Sequence, residues 1–325
     1  MNRAAPSVTI VVRSHNEAPR LRLTLASLSR QAGTPEIVVV NDGSSDGTAD
    51  VIQAASESTA LTCVTHEAAK GRAAAANAGA EAASGNILLF LDGDTLAAPG
   101  LAEAHRVVHA RAEGLIGRGE TWHLRCTRFL LDPEIGTPMP EHRQRLVALR
   151  PDEIERMRIT RAQILDDFAA IERRGSPGIY PGAGPRALFE REMEALRDDP
   201  ACPVLWAAAS GANLSVRRAD FIAVGGFDDQ LDINEHRELA LRLCAAGAQI
   251  VAVEGGRTYH MTHRVGWRDP LEDEGWEKVF RRRHPAAPIG LLKRFWASFS
   301  DRPDDAAPIR SLRQLGEAAQ RAHGS

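Results

Sequence analysis

Four times within the first 92 residues an apolar run gives way to a polar loop, at residues 8–12, 36–40, 61–65 and 86–91. Between them apolar residues recur at helical spacing, as at Leu21, Leu25 and Leu28. Strands this uniformly apolar are buried on both faces, and their alternation with helices specifies a mostly parallel sheet covered on both sides. The expected class is therefore α/β and Rossmann-like. In open parallel sheets ligands gather beyond the carboxyl ends of the strands. The loops RSHNEAP, NDGSSDG, KGR and DGD all fall there.

The chain divides by composition. Residues 1–130 hold the repeated grammar, and 131–203 turn to charged, helix-favouring sequence such as PDEIERMRITRAQILDDFAAIERR, the expected helical insert. The segment SPGIYPGAGP near its end is a candidate lid, acceptor contact or plain surface linker. The α/β pattern returns over 204–264, and 265–325 read as a C-terminal helical extension that wraps the domain. Within it IGLLKRFWASF, residues 289–299, mixes Leu, Phe and Trp with Lys and Arg. Such a stretch suits packing onto the domain or peripheral contact with a membrane surface.

A net charge of −3 with interspersed signs provides no basic stripe for nucleic acid. The first apolar run, about five residues, is too short for a signal-peptide core or a membrane span. Cys63, Cys126, Cys202 and Cys244 form no CxxC pair. The expected location is the cytoplasm, with the inner membrane face as a peripheral alternative.

Asp92 and Asp94 carry the sharpest chemistry. Two carboxylates separated by one small residue at a strand end can converge on a hard cation that bridges two phosphates. Asp42, ending the second run, could accept a hydrogen bond from a nucleobase imide or cap a helix, and Asp46 is the better capping candidate. Lys70 and Arg72 could supply charge-assisted contacts to a diphosphate. Trp206, Trp267 and Trp276 could stack on sugar rings or fill the core.

Taken in order, VTIVVRSHNEA, EIVVVNDGSSDGT, KGRAAAANAG, GNILLFLDGDT, GANLSVRR, GGFDDQLDINEHRELALRL and YHMTH resemble the inverting family 2 glycosyltransferases of the GT-A fold. The resemblance covers roughly residues 8–130 and 204–264. It implies a metal-dependent hexosyltransferase that moves a sugar from a nucleotide-diphosphate sugar, UDP-linked by family weight, to a hydroxyl-bearing polysaccharide, lipid-linked glycan or peptide. Carried over by position, it makes Ser14, Glu17, Asp42 and Arg72 donor contacts beside the Lys70 charge, and sets Asp92 near the ribose and Asp94 on the metal. The family often adds a histidine ligand after the last core strand, where His260 stands with His263 as a second candidate. An imidazole ligand favours Mn2+ over Mg2+.

The family's general base comes from an acidic pair after GGFD, usually Glu-Asp, whereas this chain has Glu235-His236. Either residue could take the proton, since both types act as bases near neutral pH when tuned. The substitution also leaves open a non-catalytic nucleotide-sugar-binding module. A sugar-phosphate nucleotidyltransferase is the other alternative, but the loop after the first strand lacks the glycines that enzyme class needs. No processive-polymerase acceptor motif of the QxxRW type is recognisable.

Overall fold

The computed structural model describes residues 5–177, 188–263, 269–300 and 307–323. The amino-terminal part runs β1 (Val8–Ser14), α1 (Ala18–Leu28), β2 (Glu36–Asp42), α2 (Thr48–Ser56), β3 (Thr62–His66), α3 (Arg72–Ala82), β4 (Ile87–Asp92), β5 (Thr95–Ala97), α4 (Leu101–Arg111) and β6 (Leu115–Leu124). A two-stranded unit, β7 (Leu130–Asp132) with β8 (Thr137–Pro138), opens the middle segment. Helices α5 (Arg143–Val147), α6 (Pro151–Met157), α7 (Arg161–Asp166), α8 (Phe168–Glu172) and α9 (Leu188–Asp198) complete it. The chain then forms β9 (Leu214–Arg217), α10 (Arg218–Ala223), α11 (Glu235–Ala245) and β10 (Gln249–Met261), and ends in α12 (Gly275–Arg283), α13 (Ile289–Ala297) and α14 (Leu312–His323).

One eight-stranded sheet carries the order β3-β2-β1-β4-β9-β6-β10-β5. The first four strands are parallel neighbours, as are β6 and β10, while β9 and β5 run antiparallel to theirs. Side-chain alternation explains why both faces are covered. Ile10, Val12, Leu89 and Leu91 pack with Leu21, Leu25 and Leu28 of α1 on one side. Val11, Leu88 and Phe90 meet Ala73, Ala76 and Ala80 of α3 on the other. A period of two thus feeds two cores from the same strands.

The charged middle segment does not form one long helix. Thr160 accepts from the Gln163 N–H to start α7, and Asp167 accepts from the Ala170 N–H to start α8, so caps divide it. Ile159, Ile164, Phe168 and Ile171 bury against Leu23 of α1 and Tyr259 and Met261 of β10. The last part of SPGIYPGAGP, from Gly178, lies outside the described residues, as does Trp267.

The carboxy-terminal helices belong to the main core. Ile289, Leu292, Phe295 and Trp296 are all buried, together with Trp206, Trp276, Phe280, Leu312 and Leu315. Of the two readings of 289–299, this is packing onto the domain, with the apolar face turned inward. Trp206 and Trp276 likewise serve the core and not sugar stacking. Among the described residues no helix is long and apolar enough to cross a membrane.

Beneath α4 lies a buried histidine pair. His105 donates from Nε2 to Asn213 Oδ1 at 2.8 Å and accepts at Nδ1 from Ser215 Oγ at 2.7 Å, while His109 Nε2 donates to the same Ser215 oxygen at 2.8 Å. Asn213 spends its amide nitrogen on the carbonyls of Glu120 and Gly256, which fixes its oxygen toward His105. Burial pushes His105 down to about 3 and His109 to about 4. Unfolded imidazoles bind protons near pH 6.5, so the unfolded state gains protons first as pH falls. Stability conferred by the neutral pair is full above pH 6.5 and declines below it. Chemical denaturation from pH 7.5 to 4.5 should show this loss, and His105→Gln should flatten the slope; an unchanged slope would refute the assignment.

Candidate active site

Parallel register places Arg13 beside Asp92 and Ser14 beside Asn41, so the ends of β1, β2 and β4 lie side by side at one end of the sheet. The Asp92-Gly93-Asp94 turn is pinned from three sides. Gly93 N–H donates to Arg13 O, Thr24 Oγ1 donates to Gly93 O, and Met261 N–H donates to Asp94 O. A Cβ on Gly93 would come within 2.8 Å of Ser14 Oγ, which is why a glycine separates the two aspartates. Ser14 Oγ itself is buried and has no hydrogen-bond partner among the described residues.

The pairing of β10 with β5 sets His260 opposite Thr95 and therefore next to Asp94. His260 Nε2 lies 3.1 Å and His263 Nε2 2.8 Å from Asp94 Oδ2. One ligand atom from each of the three residues falls within 4.8 Å of the others. Burial alone would raise the Asp94 carboxyl, yet the charge and hydrogen bonds of His260 and His263 hold it well below the usual carboxylate range. For His260, burial is outweighed by Asp94 and the pKa rises; for His263 burial prevails and it falls. Glu17 Oε1 stands 3.6 Å from His263 Nε2. Its acid is raised well above normal by burial and by repulsion from Asp94 and Asp92.

A cation fits this donor set. One carboxylate, held ionised, and two imidazoles converge, and the buried His263 Nδ1 lacks a hydrogen-bond partner among the described residues. Two nitrogen donors and one oxygen suit Mn2+ or a similar transition ion better than Mg2+.

A second cluster adjoins it. Arg13 donates from Nε to Asp92 Oδ1 at 2.6 Å and from Nη1 to Glu235 Oε1 at 2.7 Å, joining the first strand to the start of α11. Burial would raise Glu235, but Arg13, then His236 and Arg72, keep it ionised far below its ordinary value. His236 is lowered, chiefly by burial, and its Nε2 accepts from Arg237 Nη1 at 2.9 Å. The ring proton is thereby assigned to Nδ1, 3.6 Å from Glu235 Oε2. Gly211 leaves room for this group, since a Cβ there would lie 2.9 Å from Arg13 Nη2 and 3.2 Å from His236 Nδ1.

The remaining predicted contacts sit along the same edge. Asp42 accepts from the N–H groups of Lys70 and Gly71 at 2.9 Å and from His66 Nδ1 at 2.7 Å. Burial raises its pKa, and these bonds more than reverse the effect. It therefore clamps the β2 end to the loop before α3. Lys70 and Arg72 are exposed there, and Arg72 O accepts from Arg13 Nη1 at 3.3 Å. Asp46 accepts from Thr48 N–H and Ala18 N–H, tying the starts of α2 and α1 together. Sequence reasoning missed Arg13, His123 and Arg237. Arg13 was visible as the residue that follows the apolar run Val8–Val12, and Arg237 as the chain neighbour of His236, whereas His123 reaches the site only through the β6–β10 pairing.

Residues 9–113 match the family description "Glycosyl transferase family 2". Validoxylamine A glucosyltransferase of Streptomyces hygroscopicus subsp. limoneus is 30% identical over 251 residues, which is 74% of this chain and 49% of that protein. The chain spans about half the length of the curated relatives it matches first. Among solved structures, S. aureus TarS 1–349 in complex with UDP-GlcNAc aligns with a TM-score of 0.55 at 14% identity, covering 88% of this chain and 66% of that one. The mannosyltransferase PcManGT from Pyrobaculum calidifontis, in complex with GDP-Man and Mn2+, aligns with a TM-score of 0.50 at 18% identity, covering 99% and 76%. The sheet order and these neighbours define a GT-A-type α/β fold. The chain carries a glycosyltransferase family 2 domain.

Arg13 and Glu235 form a buried pair, and removal of one member of such a pair typically costs about 3–5 kcal/mol because the other charge is left uncompensated. Arg13→Leu should therefore lower the unfolding free energy by about that amount in urea titrations, and Arg13→Leu/Glu235→Leu should recover much of it. Additive losses in the double variant would contradict the pairing.

Proposed function

We propose that the chain acts as a cation-dependent inverting glycosyltransferase, moving a hexosyl group from a nucleoside-diphosphate sugar to an acceptor hydroxyl. The observation that carries this reading is the meeting of Asp94, His260 and His263 beside the Asp92–Arg13–Glu235 chain at the open ends of the strands. A cation held by the first trio would neutralise charge on a departing nucleoside diphosphate. UDP is the favoured nucleotide: Asp42 is kept ionised and acceptor-only, a match for an imide N–H, and the TarS neighbour carries UDP-GlcNAc. The name of the Streptomyces relative supports a hexose as the sugar. Acceptors in scope are polysaccharide, lipid-linked glycan or peptide hydroxyls. The four free thiols fit a reducing cytoplasm.

Of the two base candidates, Glu235 suits the role. A base needs a lone pair aimed at the acceptor. The His236 Nε2 lone pair is taken by Arg237, and its Nδ1 carries the proton. Glu235 instead stays ionised, with Arg13 engaging its Oε1 and leaving Oε2 to accept a proton. Attack on the face opposite the leaving group inverts the anomeric centre. Ser14, Glu17, Lys70 and Arg72 border the space where the donor would lie.

Asp94→Asn should cut donor turnover roughly 100-fold or more and abolish Mn2+-dependent stabilisation by UDP in thermal-shift assays. Glu235→Gln should lose comparable turnover while nucleotide binding persists, and His236→Asn should keep most of it. NMR of the first-formed product should show the inverted anomer. Near-normal turnover by Asp94→Asn would overturn the metal assignment, and a retained anomer would overturn inversion.

A further inference from the structure

We propose that His123 is a positioning residue which holds His260 in the one tautomer able to bind a cation; this rests on the reading of Asp94, His260 and His263 as a cation site. His123 and His260 stand opposite each other in the parallel β6–β10 pairing. Their rings meet edge to face at 5.2 Å between centroids, and the two Nδ1 atoms are 3.3 Å apart. His260 turns Nε2 toward Asp94, so its Nδ1 must face His123.

Cation binding at Nε2 requires a lone pair there, which places the ring proton on Nδ1. That N–H then needs an acceptor in a site where water has little access. His123 Nδ1 is the atom in reach, so His123 accepts and carries its own proton on Nε2. A ligating imidazole whose second N–H is bound in this way is fixed in orientation and made more basic, and loss of such support typically costs 10–100-fold in metal affinity. Without an acceptor the His260 ring could rotate or take the other tautomer, and either change would remove its donor from the trio.

The placement of His123 is rigid. Its backbone exchanges two hydrogen bonds with Ser176, N–H to Ser176 O at 2.9 Å and O from Ser176 N–H at 3.0 Å, in an isolated antiparallel bridge. The ring is almost fully buried, with 4% of the residue exposed. Its influence passes through His260. His123 therefore differs from the three ligand candidates, each of which turns an atom toward the shared centre.

The test compares Mn2+ binding, followed by electron paramagnetic resonance of free Mn2+, in wild type, His123→Leu, His123→Asn and Asp94→Asn. His123→Leu removes the acceptor, and His123→Asn keeps one, since the Asn Oδ1 occupies about the place of Nδ1. The expected result is a roughly 10–100-fold weaker affinity for His123→Leu and an affinity near that of wild type for His123→Asn. Thermal unfolding without metal checks that both variants fold; equal weakening in two folded variants would mark the ring as packing alone and overturn the proposal. Wild-type affinity in His123→Leu, with binding still lost in Asp94→Asn, would overturn it while leaving the cation site intact. No Mn2+ binding by the wild type would instead overturn the reading on which it rests.

Discussion

The pairing of β10 against β5 and β6 is the constraint on which the site depends. One strand, threaded between an antiparallel and a parallel neighbour, brings His260 against Asp94 on one side and His123 on the other. Residues 166 and 137 positions apart meet only because that register holds. A slip of one residue would turn His260 to the opposite face of the sheet and bring its neighbour in its place. The buried Tyr259 and Met261 on either side, packed against Leu23 and Phe168, oppose such a slip.

Buried arginines do the rest of the positioning. Arg13 links Asp92 to Glu235, and Arg237 links His236 to Glu192 of α9, which also lies 3.5 Å from the fully buried Arg118. Such networks add little net stability, because desolvation offsets attraction, but they tolerate few alternative geometries. The acidic and imidazole groups of α11 are thus fixed by contacts to the first strand and to the middle segment. This gives the helical insert a physical link to the site: α9 supplies a counter-charge under the base candidates.

Much of the architecture was legible because strands buried on both faces need nothing but apolar residues, and their spacing reports the helices between them. The loops ending β1, β2 and β4 could be placed at one end of the sheet from that grammar alone, and Asp42, Asp92 and Asp94 sit there, with Glu235 joined to them through Arg13. The antiparallel β9 in mid-sheet was not legible, since its four residues Leu214–Arg217 carry no directional signal. For residues 289–299 the amphipathic pattern reported that one face seeks an apolar partner, and packing onto the domain is the reading that the Trp206 and Trp276 core fulfils. His123 was hidden for a related reason. It acts through a contact across the fold, and a single sequence holds no trace of such a contact.

The central claim is that Asp94, His260 and His263 hold a cation that serves a nucleoside diphosphate. The most direct measurement is a crystal structure after soaking with Mn2+ and UDP, with anomalous diffraction locating the metal. The account predicts one strong peak bonded to Asp94 Oδ2, His260 Nε2 and His263 Nε2, with the diphosphate completing its coordination. UDP bound in the cleft without a metal at these three atoms, or a metal held elsewhere, would contradict it.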